Sequence, residues 1–370
     1  MRSVKEANLS GKTILVRCEF NVPIKDSRIL EDTRIKDSIP TLEFLLKKSG
    51  KIILISHLGR PNGWDLNYSL GKILPTLEKY LNLKVKFIPD CLGAQVTQSV
   101  KDLRDGEALM LENLRFYPEE EKNDLGFAKK LASLADLFVN ESFDVCHRLH
   151  ASVAGIPKFL PSFAGLRLEE EIKVLTKVLK TPTHPFCLIV GGAKLETKLP
   201  LIEKLKNLAD QILIGSKFAQ EDLPRLNNLV MPEDVLVAQK AGDDFSGIKN
   251  EDLEISLRNK ELCFLDLGEK ARNAYCKIIG DAKLVVWNGP LGWFEDRRFE
   301  TGTKEVARAV AESSGYSIVG GGETTEALKN FGVFEKIDFV STGGGAMLEF
   351  LSGKDLPGIG ALNTNQIKYS

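Results

Sequence analysis

Three apolar runs in the second half of the chain end in glycine clusters, where side chains are scarce. They are CLIVGGAKLETKL (187–199), IVGGGETTEALKN (318–330) and FVSTGGGAMLEFL (339–351). A glycine within a folded element costs about 0.5–1 kcal/mol relative to alanine, so its repeated use needs a physical reason. Backbone N–H groups at a helix N-terminus bind phosphate, and side chains there would obstruct the approach. The pattern predicts phosphate binding in this half, assisted by Lys194 and Lys198.

Arginines and histidines, rather than glycines, follow the apolar runs of the first half. The arginines and histidines are Arg17, Arg34, His57, Arg60, Arg115, His147, Arg148 and His150. Two polar residues, Glu19 and Asn21, lie beside Arg17 in the sequence. The carboxyl ends of parallel strands meet at one edge of a sheet, which is where ligands bind. Guanidinium groups match the geometry of carboxylate and phosphate. We therefore predict a pocket for a small, strongly anionic molecule.

Each of these features also has a plainer interpretation. A single glycine turn is more often a tight loop, and a single arginine more often forms a surface ion pair. Trp287 and Trp293 are more often core or cleft wall than platforms for a nucleobase. The acidic stretch EEEKND (119–124) is expected to be a solvated helix start. Repetition favours ligand sites, because glycine turns recur in one half and arginines recur at strand ends in the other.

The elements that must position these residues alternate between short β-branched runs and amphipathic helical patterns. The runs are KTILVRC, KIILIS, KVKFI, ALMLEN, LFVN, FCLIV, QILIG, LCFLDL, KLVVW, YSIVG and IDFVS. They are continuously apolar, which is typical of parallel strands covered by helices on both faces. We predict an α/β fold of two doubly wound, Rossmann-like parallel-sheet domains with a cleft between them. The predicted domains are residues 1–160 and 181–356, joined by a helix within 161–180.

Composition places the chain among ordinary globular proteins. It has 370 residues, a net charge of −1, 27% charged residues and 43% hydrophobic residues. We therefore expect two domains, and neither nucleic acid nor a membrane as a partner. No apolar run reaches the roughly 18 residues of a membrane helix, and the start does not resemble a signal peptide. The six scattered cysteines predict reduced thiols, a cytoplasmic location and no zinc site.

The residues alone favour an enzyme that moves a phosphoryl group between a nucleotide in one domain and a small polyanion in the other. Such chemistry depends on positioning and charge neutralisation. The sequence lacks a GxxxxGK[ST] loop, an HRD/DFG set and a GxSxG elbow. A nicotinamide-dependent oxidoreductase is a competing hypothesis. It would need GxGxxG early in a βαβ unit, which GGAKLETK does not provide.

A series of motifs resembles, in the same order, those of the phosphoglycerate kinase family. They are VRCEFNVP (16–23), RIKDSIPTL (34–42), SHLGRP (56–61), LENLRFYPEEEKND (111–124), FVNESFDVCHRLHAS (138–152), GGAKLETKLPLI (191–202), VVWNGPLGWFE (285–295), FETGT (299–303), VGGGETTEAL (319–328) and STGGGAMLEFLSGKDLPGIGAL (341–362). SHLGRP, WNGP and STGGGA together are highly specific. The resemblance implies reversible phosphoryl transfer between 1,3-bisphosphoglycerate and ADP, giving 3-phosphoglycerate and ATP, in glycolysis and gluconeogenesis.

The resemblance also implies site residues by position. The N-terminal domain would bind 3-phosphoglycerate through Glu19, Asn21, Arg34, His57, Arg60, Arg115 and Arg148. The C-terminal domain would bind Mg-ADP or Mg-ATP through Gly192, Lys194, Lys198, Glu295, Gly322, Glu323 and Thr324. Glu295 would hold the ribose hydroxyls, and Glu323 would lie near the metal and the phosphates. The residues implied in catalysis are Arg34, Lys194, Gly321 and Gly344.

The family's behaviour implies further properties of the whole chain. The two domains would close about the helix near 167–179, and the tail 357–370 would pack back on the N-terminal domain. A monomer is expected. No general base is required, because the attacking group in the ATP-consuming direction is a carboxylate that is already ionised at pH 7.

Several positions depart from the family pattern. Glu19, Glu141 and Glu323 each stand where aspartate is usual, which adds one methylene to each. Asp144 stands where the family has glycine, and would place a negative charge beside the anion pocket. The segment 211–250 is shortened and lacks a usual glycine and methionine run. These departures define an alternative hypothesis, a catalytically impaired relative that serves as a nucleotide- and anion-binding module.

Overall fold

The computed structural model divides the chain into two compact units. It describes residues 1–26, 28–48, 50–221, 223–241 and 244–369. Unit 1 contains Met1–Val174 together with the described residues from Asp355 onward, and unit 2 contains Leu175–Lys354. The chain passes from unit 1 to unit 2 within one helix, Leu166–Lys180.

Unit 1 contains a six-stranded parallel sheet and a short antiparallel hairpin. In chain order the strands are β1 (Thr13–Arg17), β2 (Ile24–Lys25), β3 (Arg28–Ile29), β4 (Lys51–Ile55), β5 (Val85–Ile88), β6 (Ala108–Leu111), β7 (Leu137–Asn140) and β8 (Ser162–Ala164). The hairpin pairs β2 with β3, and the sheet has the order β5-β6-β4-β1-β7-β8. All the pairings in this sheet are parallel. The residues that follow β4, β1 and β7 therefore meet at one edge of the sheet.

Helices cover both faces of this sheet, which explains why its strands are apolar throughout. Ile14 and Val16 of β1 pack in one hydrophobic cluster, and Leu15 between them packs in another. The helices are α1 (Thr33–Lys47), α2 (Leu74–Leu81), α3 (Ala94–Lys101), α4 (Pro118–Glu121), α5 (Leu125–Ala132) and α6 (Leu166–Lys180). Side chains of α1 and α2 join the first cluster, and side chains of α3 and α5 join the second. The sheet is thus doubly wound.

Unit 2 contains a second six-stranded parallel sheet. The strands of unit 2 are β9 (Phe186–Val190), β10 (Gln211–Ile214), β11 (Leu229–Val230), β12 (Asp234–Ala241), β13 (Asp244–Asp252), β14 (Leu262–Leu267), β15 (Leu284–Asn288), β16 (Tyr316–Gly320) and β17 (Phe339–Val340). The parallel sheet has the order β11-β10-β9-β15-β16-β17. Because β9, β15 and β16 are neighbours, the glycine turns that follow them lie side by side.

The other strands of unit 2 form a separate antiparallel sheet with the order β13-β12-β14. The run LCFLDL, predicted as one of the parallel strands, is β14 of this sheet, so that assignment was wrong. The strand is almost wholly buried, with only Cys263 partly exposed. Continuous burial produces a continuously apolar run whichever way the partner strand points, and periodicity therefore could not distinguish the two cases.

The helices of unit 2 surround a core that includes the fully buried Trp287. They are α7 (Leu199–Leu205), α8 (Leu253–Ser256), α9 (Glu269–Asp281), α10 (Thr301–Glu312), α11 (Gly322–Asn330) and α12 (Gly344–Leu351). Both α11 and α12 begin in a glycine cluster. In the part of the chain that the structure describes, no helix is long and apolar enough to cross a membrane.

The last helix, α13 (Pro357–Lys368), belongs to unit 1. Its buried Asn365 donates through Nδ2 to the carbonyls of Pro157, at 2.5 Å, and Leu160, at 2.7 Å. Asn365 Oδ1 accepts from Ser162 N at 2.8 Å and from Arg2 Nη2 at 3.0 Å. The amide uses its full hydrogen-bonding capacity, so it fixes this end of the chain to unit 1.

Candidate functional site

Arg17, the last residue of β1, is a fully buried cation in unit 1. Its Nε donates to Ser152 Oγ at 3.1 Å, its Nη1 donates to the Cys18 carbonyl, and its Nη2 lies 2.8 Å from His57 Nδ1. Ser152 Oγ is also 2.5 Å from an oxygen of Glu120. Glu120 is buried, contrary to the solvated helix start predicted for EEEKND, because it faces the buried charge of Arg17. Buried charges require such partners.

The contact with Arg17 determines the state of His57. A guanidinium group has only donors, so Nδ1 of His57 accepts and the ring proton lies on Nε2. Burial, together with the charges of Arg17 and Arg115, holds the pKa of His57 well below its usual range. His57 is therefore a neutral imidazole that presents an N–H donor.

Arg34, in the first turn of α1, contacts the segment that follows β1. Its Nη1 lies 3.2 Å from Glu19 Oε1 and donates to the Asn21 carbonyl at 2.6 Å. Asn21 Oδ1 accepts from Gly59 N at 2.9 Å, which connects this group to the segment after β4. Glu19 is buried, with 3% of its surface exposed.

The remaining predicted arginines of unit 1 differ in how they are held. Arg115 Nη1 donates to the Gly59 carbonyl at 2.5 Å, and its Nε lies 3.4 Å from Glu121 Oε1. Arg60 and Arg148 are exposed at the surface. The structure thus connects four of the predicted residues through hydrogen bonds, namely Glu19, Asn21, Arg34, and Arg115 through Gly59, while His57 contacts Arg17. The charge of Arg60 acts on Arg115.

Asp144 lies inside this group and contacts Glu19 through a serine. Ser142 Oγ is 2.8 Å from Glu19 Oε2 and 2.5 Å from Asp144 Oδ1. Burial and the charge of Asp144 raise the pKa of Glu19 well above its usual range. Burial opposes ionisation of Asp144, but its interaction with Glu19 and the charge of Arg34 hold the pKa of Asp144 below its usual range.

Glu19, His57 and Asp144 each offer a possible metal-ligand atom, all within 4.8 Å of one another. The arrangement does not suit a cation. Nδ1 of His57 is engaged by Arg17 and Nε2 carries the ring proton, so neither nitrogen has a lone pair to offer. Arg34 also competes for Glu19. This group is better suited to an anion.

Glu141, another departure from the family pattern, lies at the N-terminus of α6. Its Oε1 accepts from Thr41 Oγ1 at 2.7 Å and from Arg167 N at 3.2 Å. Oε2 is buried without a hydrogen-bond partner. Burial raises the pKa of Glu141 to about 8. Its contacts indicate that it caps the helix.

The glycine turns of unit 2 press directly against one another. A Cβ atom on Gly191 would overlap the Pro290 carbonyl, and one on Gly289 would overlap the Gly191 carbonyl. A Cβ on Gly344 would lie 2.6 Å from Cα of Gly321, which itself has a φ of 104°. Glycine is thus required sterically where α11 and α12 begin. Gly322 is exposed and Gly344 is partly exposed, and the first N–H groups of a helix have no partner within the helix, as an anion site requires.

Lys198 and Thr324 are buried beside these turns. Lys198 Nζ donates to Asn288 Oδ1, and Thr324 Oγ1 accepts from Gly289 N at 2.8 Å. Burial lowers the pKa of Lys198 to about 8, although the nearby charge of Glu323 acts in the opposite direction. Lys198 is therefore a cation held at the glycine turns in neutral solution.

A cavity of about 660 Å³ opens in unit 2 and includes part of the glycine region. Gly192, Glu323 and Glu295 line it. Trp293 and Phe245 also line it, with ring centroids 5.5 Å apart. The antiparallel sheet supplies residues 262–265 of the wall, and the segment 211–250 supplies Gly215, Ser216, Lys217, Gln220, Lys240 and Phe245. Cavities of this size hold small ligands and cofactors.

Of the predicted nucleotide ligands, Lys198, Thr324, Lys194 and Gly322 are not among the lining residues of this cavity. Lys194 is exposed and opens the short helical turn that leads to Lys198. Gly322 is the first residue of α11. Both lie in the glycine turns that adjoin the cavity through Gly192 and Glu323.

Comparisons with known proteins agree on one family. The model of the phosphoglycerate kinase family matches residues 4–223 and 216–354. The chain is 39% identical to the phosphoglycerate kinase of Dictyoglomus turgidum, over 97% of each sequence. It is 40% identical to that of Moorella thermoacetica, over 97% of this chain and 98% of the relative. The chain belongs to the phosphoglycerate kinase family.

Solved phosphoglycerate kinases share the fold. The enzyme from Coxiella burnetii matches with a TM-score of 0.84 and 33% identity, covering 98% of both chains. The enzyme from Pyrococcus horikoshii matches with a TM-score of 0.84 and 29% identity over the whole of both chains. The predicted α/β fold class and the predicted family are confirmed. The function is that of a phosphoglycerate kinase, a phosphotransferase with a carboxyl group as acceptor, and nothing favours the impaired-relative alternative.

Phosphoglycerate kinases use ATP or ADP with Mg²⁺ and bind 3-phosphoglycerate. Sequence reasoning did not place Ser142 or Asn288 among the site residues of this chain, and it counted Arg17 in the predicted anion pocket without giving it a role. Arg17 and Asn288 are the last residues of β1 and β15, and Ser142 lies two residues after β7. A polar residue that ends an apolar strand was the available signal, because that position faces the ligand edge of a parallel sheet.

Proposed function

We propose that unit 1 binds 3-phosphoglycerate, that unit 2 binds Mg-ATP or Mg-ADP, and that named residues of each carry the transfer. The observation that carries this proposal is the contact among the glycine turns of unit 2. Two helix N-termini begin there beside a buried lysine and a cavity of about 660 Å³. This combination suits a nucleotide, whose phosphates need N–H donors and whose base needs an apolar wall.

In unit 1 the ligand would be a small molecule with a carboxylate and a phosphate. Guanidinium groups pair with both, and the proposed ligands are Arg34, Arg60, Arg115 and Arg148. His57 would add its neutral N–H, and Asn21 would add its amide. Glu19 would accept a hydrogen bond from the substrate hydroxyl or donate one, according to its protonation. Arg34 would orient the substrate and neutralise its charge.

In unit 2 the phosphates would contact the turns that begin α11 and α12. We assign this contact to Gly192, Gly321, Gly322, Thr324 and Gly344, and to the cations Lys194 and Lys198. Glu295, which is exposed in the cavity wall, would bind the ribose hydroxyls. The Trp293 and Phe245 rings would cover the base.

Glu323 would hold Mg²⁺ together with the nucleotide. Its exposed carboxylate lines the cavity at the start of α11, and carboxylate oxygen is a ligand that Mg²⁺ prefers. Bound Mg²⁺ would neutralise part of the phosphate charge. The longer glutamate keeps the same oxygen ligands that aspartate offers.

The chemistry follows from the charges of the groups. The carboxylate of 3-phosphoglycerate attacks the γ-phosphorus of ATP, so a carboxyl O–P bond forms while the bond from the γ-phosphorus to the bridging oxygen breaks. ADP departs and no proton is transferred, so no general base is needed. Lys194 and the N–H groups of Gly321 and Gly344 would stabilise the charge on the transferred phosphoryl group.

We also propose a monomeric, cytoplasmic enzyme. The residues assigned to each substrate come from a single chain. The six cysteines are unpaired, which supports a reducing compartment.

A pair of variants tests the division of substrates between the units. Arg34→Met should raise KM for 3-phosphoglycerate by more than about tenfold and leave KM for ATP within about twofold. Lys198→Met should show the reverse pattern. Both variants should keep the far-UV spectrum of the parent. Equal effects of either variant on both KM values would contradict the assignment.

A further inference from the structure

The hydroxyl of Ser142 lies between two carboxyl groups in unit 1. It is 2.8 Å from Glu19 Oε2 and 2.5 Å from Asp144 Oδ1, and both distances are hydrogen-bonding distances. A hydroxyl has one proton and can donate to only one of the two. The other carboxyl must donate to the hydroxyl oxygen, and so must itself be protonated. The geometry therefore accounts for one proton on two carboxyl groups.

The two distances also indicate which carboxyl group is neutral. Contacts from O–H to an ionised oxygen are about 2.5–2.7 Å, whereas O–H···O contacts in general span about 2.5–3.0 Å and are most often about 2.7–2.8 Å. The shorter contact, 2.5 Å to Asp144, lies in the range for a hydroxyl that donates to an ionised oxygen, which favours Asp144 as the anion and Glu19 as the acid. Glu19 is 3% exposed and Asp144 is partly exposed, so water stabilises the charge better on Asp144.

We propose that Glu19 and Asp144 share one proton through Ser142, so that Asp144 adds no net negative charge at neutral pH and weakens 3-phosphoglycerate binding only in alkaline solution. The inference rests on the proposed binding of 3-phosphoglycerate in unit 1. Asp144 is thus a further residue that determines substrate affinity. The shared proton explains how a carboxylate is tolerated at position 144, where the family has glycine.

The charged and titratable groups that act on the pair come from three elements. Arg17 ends β1, Arg34 lies in α1, and His57 follows β4. His57 is neutral, so two guanidinium groups face a pair with a charge of −1, as they would face a lone carboxylate at position 19. The net charge that an anionic substrate meets at this site is therefore unchanged.

The direction of the pH effect follows from Glu19. Burial and the neighbouring charge of Asp144 raise the pKa of Glu19 well above its usual range, so its proton is lost only as the pH rises through that raised value. The pair then carries a charge of −2. The added charge repels the carboxylate and phosphate of the substrate. Affinity therefore falls on the alkaline side.

The first experiment measures the proton without any substrate. Carboxyl ¹³C NMR titrations would compare the parent with Asp144→Asn, and Glu19→Gln would assign the Glu19 signal. We expect a protonated Glu19 at pH 7 in the parent, and a pKa of Glu19 at least about one unit lower in Asp144→Asn. An ionised Glu19 at pH 7 in the parent would overturn the proposal.

The second experiment measures calorimetric Kd for 3-phosphoglycerate from pH 7.5 to 9.5, where the substrate is fully ionised. Across this range the Kd of the parent for 3-phosphoglycerate should rise at least about fivefold more than the Kd of Asp144→Asn or Asp144→Gly. Because the variants share all other titrating groups, the difference isolates the pair. Identical pH profiles would overturn the proposed effect on affinity. Absence of binding at every pH, with a shared proton seen by NMR, would instead overturn the proposed function of unit 1.

Discussion

Arg17 Nη2 lies 2.8 Å from Nδ1 of His57, and this contact connects a buried cation to a neutral imidazole. Because guanidinium has no acceptor, the contact leaves the His57 proton on Nε2. Removal of Arg17 would also leave Glu120 buried without its nearby positive charge. The cation that ends β1 thus sets both the stability of unit 1 and the donor that His57 presents.

We predict that Arg17→Met lowers the free energy of unfolding by about 3 kcal/mol, because it leaves buried polar partners unsatisfied. Urea unfolding would measure the change. Arg60→Met is the matched control, since Arg60 is exposed, and it should change stability by less than about 0.5 kcal/mol. Equal stabilities of the two variants would contradict the role of Arg17.

We predict that kcat/KM for ATP declines in alkaline solution because Lys198 loses its proton. Burial lowers the pKa of Lys198 to about 8, so the free enzyme loses this cation as the pH rises through that value. Lys198→Arg keeps the charge and should move the decline to higher pH. A decline of kcat/KM at the same pH in the parent and in Lys198→Arg would show that another group titrates.

As the pH rises, Lys198 should contribute more to the free energy of unfolding, although its loss of charge lowers activity. An unfolded lysine keeps its proton up to about pH 10.4, so between about 8 and 10.4 the unfolded chain binds more protons. The contribution of Lys198 to the free energy of unfolding therefore rises with pH in this window. Parallel stability profiles of the parent and Lys198→Met would argue against the lowered pKa.

Gly344→Ala should damage unit 2, because the new Cβ would lie 2.6 Å from Gly321 Cα. The two turns must separate, and we expect a loss of about 1–3 kcal/mol of stability with weaker Mg-ADP binding. Gly360→Ala, at a helical site where an added Cβ would meet no atom of another part of the chain within 4 Å, is the control and should be neutral or stabilise the protein. Thermal unfolding without Mg-ADP would measure the loss of stability, and the shift on adding Mg-ADP would measure the weaker nucleotide binding. Unchanged nucleotide stabilisation in Gly344→Ala would remove this turn from the site.

Glu141→Gln should reduce the pH dependence of stability. Burial raises the pKa of Glu141 to about 8, whereas an unfolded glutamate titrates near pH 4.3. Between these values the folded protein binds more protons, so the contribution of Glu141 to stability falls as the pH rises. From pH 5 to 8 the parent should lose on the order of 3 kcal/mol more than the variant. Parallel urea-unfolding results at pH 5, 6.5 and 8 would show that Glu141 is ionised throughout.

The sequence predicted the parallel strands and the residues that follow them, because both-face burial leaves a continuous apolar run. It did not reveal that LCFLDL pairs antiparallel, since burial hides strand direction. It also missed the burial of Glu120, because its buried partner Arg17 is distant in the chain. The effect of Asp144 was inferred from its charge alone. Only the position of Ser142 between Asp144 and Glu19 leads us to infer that one proton offsets that charge. The predicted roles of the site residues and the closure of the domains stay predictions.

The most direct test of the account is a coupled assay with ATP, Mg²⁺ and 3-phosphoglycerate that reads out 1,3-bisphosphoglycerate. The parent should show turnover that saturates in both substrates. Lys194→Ala should lose about 10²–10³-fold in kcat while unfolding at the same urea concentration, and Lys204→Ala, an exposed lysine on α7, should match the parent. A parent without turnover, or an equally active Lys194→Ala enzyme, would contradict the proposed transfer and its neutralisation by Lys194.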